Sequence, residues 1–105
     1  MRVAYSVLRE IHKKDHTPHG KDYGLKDYEF DGFIRLLEKN GYLERVLRVN
    51  DEYRLGPARL TEKGKILLET YKHYEDNYPI NNLKNLKDWV KTEREQYSNQ
   101  AEAEQ

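Results

Sequence analysis

Between Gly41 and Thr61 the apolar residues stop recurring every three or four positions and crowd into two short runs. "YLERVLRV" (42–49) and "YRL" (53–55) are rich in β-branched and apolar residues, and "NDE" (50–52) between them reads as a turn. Helical patterns abut this hairpin on both sides with no linker. Gly41 suits the left-handed position that closes a helix, and Thr61 has the hydroxyl that opens one. A hairpin clamped directly between two helices leaves few architectures open. Two details refine it. Val46 and Leu47 are adjacent, which breaks strict alternation and predicts a bulge there. "GPA" (56–58) interrupts the second strand, and Pro57 confines that stretch to a sheet edge.

Helical spacing accounts for the remainder. Val3, Val7, Leu8 and Ile11 mark a helix over Arg2–Lys14, ended by "HTPHG" (16–20). "KDYGL" (21–25) is long enough for one helical turn. From Asp27, a plausible N-cap, to Asn40 a second helix buries Phe30, Phe33, Ile34 and Leu37. The run from Leu60 to Tyr78 spaces Leu67, Tyr71, Tyr74 and Tyr78 as a helix, and Pro79 ends it. A last helix, Asn82–Tyr97, carries Leu83, Leu86 and Val90 on one stripe widened by Trp89. "SNQAEAEQ" (98–105) lacks an apolar anchor and is expected to be a disordered tail.

Gly64 is the anomaly in this pattern. It lies in the first turn of its helix, where alanine would be favoured by roughly 1 kcal/mol. Leu60 ends the second strand, so the missing side chain is expected to let the helix cross close to the hairpin backbone.

Three helices followed at once by a hairpin form the winged helix-turn-helix order, with the hairpin as the wing. The expected class is therefore α+β, mainly α, with a three-helix core, a β-hairpin wing and two C-terminal helices. In domain terms, 1–78 is a winged-helix domain, 79–97 a C-terminal helix packed on it, and 98–105 the tail. "FDGFIRLLEKNGYLERV" (30–46), "LGPARLTEKGKILLE" (55–69) and "LKNLKDWV" (83–90) together resemble the YjcQ-like family of small winged-helix proteins. That family occurs in Gram-positive bacteria and their phages, and the likeness runs from about Val3 to Val90. "NGYL" with "LTEKG" is common to many winged-helix regulators, whereas "LGP" and the trailing "LKDWV" narrow it. The resemblance implies an architecture and no biochemical activity.

Composition excludes more than it selects. Hydrophobic and charged residues each make up 36% of the 105 residues, so the core must be thin, and nine tyrosines supply much of its bulk. Without cysteine there are no disulfides and no thiolate metal site. No apolar run approaches the ~20 residues of a membrane span, and no signal-peptide core is evident, so a cytoplasmic location is expected. Nineteen Lys and Arg balance nineteen Asp and Glu. Residues 1–21 are locally basic, with five Lys and Arg against two acids.

In a winged helix the Asp27–Asn40 helix would enter a major groove. Opposite its apolar stripe lie Tyr28, Gly32, Arg35 and Lys39, an acid-free line offering an aromatic hydroxyl and two cations. Arg35 suits a guanine edge or a phosphate, and Lys39 a phosphate. Asp31 and Glu38 flank one side, Glu29 the other, and the whole helix is net acidic, which a merely solvated face would share. Wing arginines Arg45, Arg48, Arg54 and Arg59 suit bidentate phosphate contacts; the alternative is cross-strand ion pairing, with Arg48 or Arg54 meeting Asp51 or Glu52. Lys13, Lys14 and Lys21 could add backbone contacts.

His12, His16 and His19 suggest a metal site. His-x3-His needs further ligands, however, and Asp15 is the only one nearby, so surface histidines are expected and no metal. Gly-rich phosphate loops, cysteine nucleophiles and Ser/His/Asp constellations are all lacking, which predicts neither enzyme, cofactor nor small-molecule substrate. Two functions fit: a DNA-binding protein, a small regulator of prophage or host genes contacting double-stranded DNA through Tyr28, Arg35, Lys39, Arg45, Arg48 and Arg54; or a protein-interaction module on the same scaffold, docking a partner through its Tyr-rich surface. The tyrosine stripe and the Leu83, Leu86, Val90 stripe are expected to bury against each other, with a homodimer through these C-terminal helices as the other use. A continuous positive face marks the first function and an exposed aromatic patch the second.

Overall fold

The computed structural model describes residues 1–91 of the chain. Helix α1 (Arg2–Lys13), a single 3-10 turn (Gly20–Tyr23) and helix α2 (Asp27–Lys39) come first. Four short strands follow: β1 (Leu43–Glu44), β2 (Leu47–Val49), β3 (Glu52–Arg54) and β4 (Arg59–Leu60). Helix α3 (Glu62–Thr70), 3-10 segments at Lys72–Asn77 and Leu83–Asn85, and a helical stretch α4 over 86–91 complete the order. The class is α+β and mainly helical.

Helix α1 lies at the centre, packed on α3 and β4, while α2 rests on the 3-10 turn and β1. Val7, Leu8, Phe30, Ile34 and Leu86 are fully enclosed, and Tyr78, Trp89 and Val90 join the same core. The C-terminal segment therefore completes the core that α1 begins. Its expected end at Tyr97, and the tail expected over 98–105, lie outside the described residues.

The hairpin is built in two pieces. At the base β1 pairs with β4, Leu43 opposite Leu60; at the tip β2 pairs with β3, Leu47 opposite Arg54 and Arg48 opposite Tyr53. On the first arm the interruption falls at Arg45, whose φ of 64° is left-handed. Two residues of this arm, Arg45 and Val46, lie opposite four on the other, 55–58, so the ladder divides into two sheets instead of carrying the bulge expected at Val46–Leu47; Val46 turns inward while Leu47 faces solvent. The opposite arm is interrupted at Pro57 by a turn in which Ala58 N–H donates to Leu55 O at 3.1 Å. Asn50 and Asp51 at the tip both have positive φ, 52° and 67°, as a tight two-residue hairpin turn requires.

Gly64 behaves as its position implies. A Cβ there would stand 2.3 Å from Tyr42 O and 3.1 Å from Leu60 Cγ. The Thr61 hydroxyl accepts from Gly64 N–H at 3.1 Å, and Thr61 N–H donates to Tyr42 O at 3.1 Å, so cap, strand and helix meet at one point. Gly41 closes α2 at φ 80°, with Tyr42 N–H reaching back to Leu37 O at 2.9 Å.

Three expectations need correction. Lys26, not Asp27, is the N-cap of α2: its N–H donates to Glu29 Oε1 at 2.9 Å, and Asp27 becomes the first helical residue. The single helix expected to reach Tyr78 stops at Thr70 and continues as 3-10 structure. Tighter winding brings the Tyr71 and Tyr74 rings to 5.6 Å and carries Glu75 and Tyr78 onto polar groups of α1. Likewise the last helix does not begin at Asn82 but winds as 3-10 over Leu83–Asn85 before becoming α-helical.

Candidate functional site

The outer face of α2 has the composition expected of it. Tyr28 is 71% exposed and is the one exposed tyrosine among the described residues. Gly32, Arg35 and Lys39 are exposed beside it, and no atom lies within 4 Å of where a Gly32 Cβ would be. Arg35 Nε stands 3.4 Å from Asp31 Oδ2, one turn earlier. Leu36 is also half-exposed on this face, an apolar residue that the spacing of the buried stripe did not flag.

The hairpin arginines divide into two groups. Arg45 is exposed where the first arm is interrupted, Arg54 is exposed with Glu52 at 3.7 Å, and Arg59 pairs across the base with Glu44 at 2.7 Å. Arg48 does something else. Strand alternation sends Leu47 and Val49 outward and turns Arg48 and Tyr53 toward α2. Arg48 Nη1 donates to Asp31 Oδ1 at 2.8 Å, and its Nη2 to Glu38 Oε1 at 2.5 Å. The two carboxylates are seven residues apart, hence two turns along one side of the helix, and a single planar guanidinium spans them. Neither Asp51 nor Glu52, the expected cross-strand partners, takes part. Hydrogen bonding from Arg48 is the main reason the Asp31 carboxyl sits below its ordinary pKa. Burial opposes the charge on Arg48, but Glu38 and Asp31 outweigh it and hold its pKa above the usual arginine value.

Between the first turn of α2 and the hairpin tip runs a groove of about 400 Å³, lined by Asp27, Tyr28, Asp31, Asp51, Glu52 and Tyr53. Four of its six lining residues are carboxylates and none is basic. Helix stripe and hairpin arginines are thus divided by negative charge.

The C-terminal aromatic residues are largely buried, as expected of the tyrosine stripe packing against the chain's own core, and form no exposed docking patch among the described residues. Tyr78 and Trp89 are enclosed with ring centroids 4.9 Å apart, and Tyr71 and Tyr74 are half-buried. Arg2 lies over Trp89 at 4.8 Å and donates to the Trp89 carbonyl at 2.8 Å.

Beneath them lies a polar network absent from the sequence reading. Ser6 Oγ lies 2.9 Å from both the Tyr23 and Tyr78 hydroxyls, and Tyr78 also donates to Glu10 at 2.8 Å. Arg9 donates to Glu10 at 2.7 Å and binds Glu75 through Nε, while Tyr5 donates to Glu75 at 2.7 Å. Burial is the largest cause raising the pKa of Tyr5, Tyr23 and Tyr78 above the ordinary tyrosine value. These groups are internally satisfied and tie the C-terminal segment to α1. A signal was present, since Ser6, Arg9 and Glu10 stand among buried positions of α1, but helical spacing alone assigns polar residues to solvent.

His16 Nε2 lies 3.0 Å from Asp22 Oδ2, and the His16 and His19 rings are 6.3 Å apart. Among the described residues no group of three or more His, Cys, Asp or Glu is placed to hold a metal ion, and no helix is long and apolar enough to cross a membrane.

No family model matches this chain, and no solved structure matches it. It is 31% identical over 93 residues to an uncharacterized protein, YjcQ, of Bacillus subtilis (strain 168), an alignment covering 86% of this chain and 96% of that protein. With that identity over nearly the whole of both sequences, the chain belongs to the YjcQ family.

Proposed function

We propose that this chain is a winged-helix protein whose α2–wing face docks another protein, without enzymatic activity. The helix–turn–helix–hairpin order supports the scaffold, with α2 in the place of a recognition helix and β2–β3 as the wing. One observation carries the choice of partner class. Arg48, the wing cation turned toward α2, is already neutralised by Asp31 and Glu38, and the groove beside it is lined by four carboxylates. A duplex lying across helix and wing would bring phosphates against that groove, and phosphate attraction supplies most of the affinity in such complexes.

The competing reading, a DNA-binding regulator of prophage or host genes, draws on the exposure of Arg35, Lys39, Arg45 and Arg54. These four cations are too few and too interrupted to offset the intervening acids. A homodimer through the C-terminal helices is not favoured, because Tyr78, Leu86 and Val90 are buried within the chain itself.

The deciding experiment titrates labelled duplex DNA into the protein at ~50 mM and ~200 mM salt, where phosphate contacts weaken steeply. No binding is expected at either salt. Binding at the lower salt that is lost in both Arg35→Ala and Arg45→Ala would replace protein docking with DNA recognition.

A further inference from the structure

We infer that a small cavity at the C-terminal end of α1 binds a primary ammonium group carried on a short alkyl chain. The cavity, of about 160 Å³, lies between the loop 14–18 and Leu55–Gly56. No residue of α2, β2 or β3 lines it, so the site is separate from the docking face proposed above. Ile11, Pro18 and Leu55 are buried and supply apolar walls, while Thr17 and Gly56 are exposed at the rim. Glu10 lines the same space and is 2% exposed. Its Oε2 takes both internal donors, Arg9 Nη1 at 2.7 Å and the Tyr78 hydroxyl at 2.8 Å. Among the described residues no donor reaches Oε1. Nor is Oε1 sealed within protein, and the cavity that Glu10 borders is this one. Buried carboxylate oxygens are almost always hydrogen-bonded, so this one marks a position for a donor from outside.

Charge selects a cation for that donor. One guanidinium, Arg9, is shared between the Glu10 and Glu75 carboxylates, with Lys13 acting on Glu75 only at a distance. The carbonyl end of α1 adds partial negative charge beside the cavity. Lys14 and His16 also border it, but His16 pairs with Asp22 at 3.0 Å, and no hydrogen bond or ion pair joins either to Glu10. Geometry then selects among cations. With one oxygen open, a guanidinium fork finds no second carboxylate acceptor, and no group of three or more His, Cys, Asp or Glu is placed to hold a metal among the described residues. An ammonium needs one strong acceptor and can give its remaining protons to the Thr17 hydroxyl or to water. The volume holds about five waters, or an ammonium on a chain of about four carbons against the apolar walls.

The test uses the full chain, 15N-labelled, at about pH 8, where an alkylamine is charged, and at a constant ionic strength of ~100 mM. The probe is n-butylammonium chloride, titrated to ~20 mM. Saturable amide shifts are expected at Ile11, Thr17, Leu55 and Gly56, with a Kd on the order of 1 mM, as a ligand of about five non-hydrogen atoms allows. n-Butanol carries the same chain without the charge and should bind at least about tenfold more weakly. Glu10→Gln should abolish the shifts. Where that buried substitution prevents folding, two rim variants decide instead. A Cβ at Gly56 meets nothing within 4 Å, so Gly56→Glu and Gly56→Lys keep the fold while placing opposite charges at the mouth. The glutamate variant should bind butylammonium at least about threefold tighter than the lysine variant. Nα-acetyl-lysine methylamide separates the two sources of this chemistry: equal affinity assigns the site to lysine side chains, and much weaker binding to free alkylamines. The proposal is overturned by the absence of saturable shifts, which leaves the cavity to water, or by equal binding of butanol. It is equally overturned by shifts centred on Asp27 and Glu52, by binding retained in a folded Glu10→Gln protein, or by equal affinity of the two rim variants.

Discussion

Replacing Gly64 by alanine sets two opposing effects against each other, and the structure says which wins. Alanine in a helix is worth about 1 kcal/mol more than glycine. At this position, however, the new methyl would lie 2.3 Å from the carbonyl oxygen of Tyr42, a backbone atom that cannot rotate away. Restoring ordinary contact requires α3 and the start of β1 to separate by about 1 Å, an overpacking cost of about 1–3 kcal/mol. That separation also strains what meets there. Thr61 N–H to Tyr42 O at 3.1 Å, the Thr61 hydroxyl to Gly41 O at 2.5 Å and the Gly64 N–H cap at 3.1 Å all span the same gap. A lost cap costs about 1 kcal/mol and a lost hydrogen bond about as much again. The net expectation is destabilisation by about 2–4 kcal/mol, or roughly 10–20 °C in Tm for a domain of this size. Gly32→Ala is the internal control: it is exposed, with nothing within 4 Å of the added methyl, and should stabilise by about 0.5–1 kcal/mol. Paired thermal and urea denaturation of the two variants measures both. A Gly64→Ala protein as stable as the parent would refute the close-approach account, whatever Gly32→Ala does.

Tyr78→Phe removes a buried hydroxyl bonded to Ser6 and Glu10 at 2.9 and 2.8 Å, and should cost about 1–3 kcal/mol by urea denaturation. Trp89→Ala opens the aromatic core between Tyr74 and Tyr78 and should cost about 3–5 kcal/mol, lowering Tm without abolishing α1 helicity at low temperature. Asp31 and Glu75 both titrate below their ordinary values in the fold, so their contribution is complete above the unfolded pKa near 4 and is lost as pH falls through the folded one. Stability should therefore drop on acidification below about pH 4, and Asp31→Asn with Glu75→Gln should flatten that limb of a urea-midpoint profile. At the alkaline end the sign reverses. Tyr5, Tyr23 and Tyr78 are held protonated, their stabilisation is whole below about pH 10 and falls as pH rises beyond it, and their absorbance at 295 nm should appear late and with unfolding.

What the sequence disclosed about the fold follows from where backbone chemistry is local. Gly41 and Thr61 act on backbone within a turn of themselves, so their roles could be inferred from identity and spacing, while Gly64, which meets Tyr42 O across the hairpin, was betrayed by a glycine in the first helical turn just after the strand ending at Leu60. The hairpin interruption could be anticipated from Val46–Leu47 and Pro57 for the same reason, although which residue turns left-handed, Arg45, could not. The C-terminal half was harder. Tyr71, Tyr74 and Tyr78 satisfy an α-helical period, and nothing within the segment says that Glu75 and Tyr78 have partners about seventy positions upstream on α1. Those long-range bonds favour the tighter 3-10 winding over the helix that the spacing alone implies.

The candidate site shows the same division more sharply, because a charge has no meaning until its neighbours are known. Arg45, Arg48 and Arg54 look interchangeable as a list of hairpin cations, yet strand parity separates them: Arg48 alone faces α2, where Asp31 and Glu38 wait two turns apart. Counting residues on α2 shows that those acids flank the cationic stripe, but it cannot show that they consume a cation from another element and leave the adjoining groove acidic. Once that pairing is made, adding arginines to a presumed phosphate-binding face ceases to be valid arithmetic. Breaking it supplies the reciprocal test. Arg48→Ala should cost only about 1 kcal/mol of stability, since all three side chains keep some access to water. Because that guanidinium is already spent on two carboxylates, its removal should leave duplex binding at ~50 mM salt unchanged, whereas a phosphate-binding hairpin arginine would weaken it on removal.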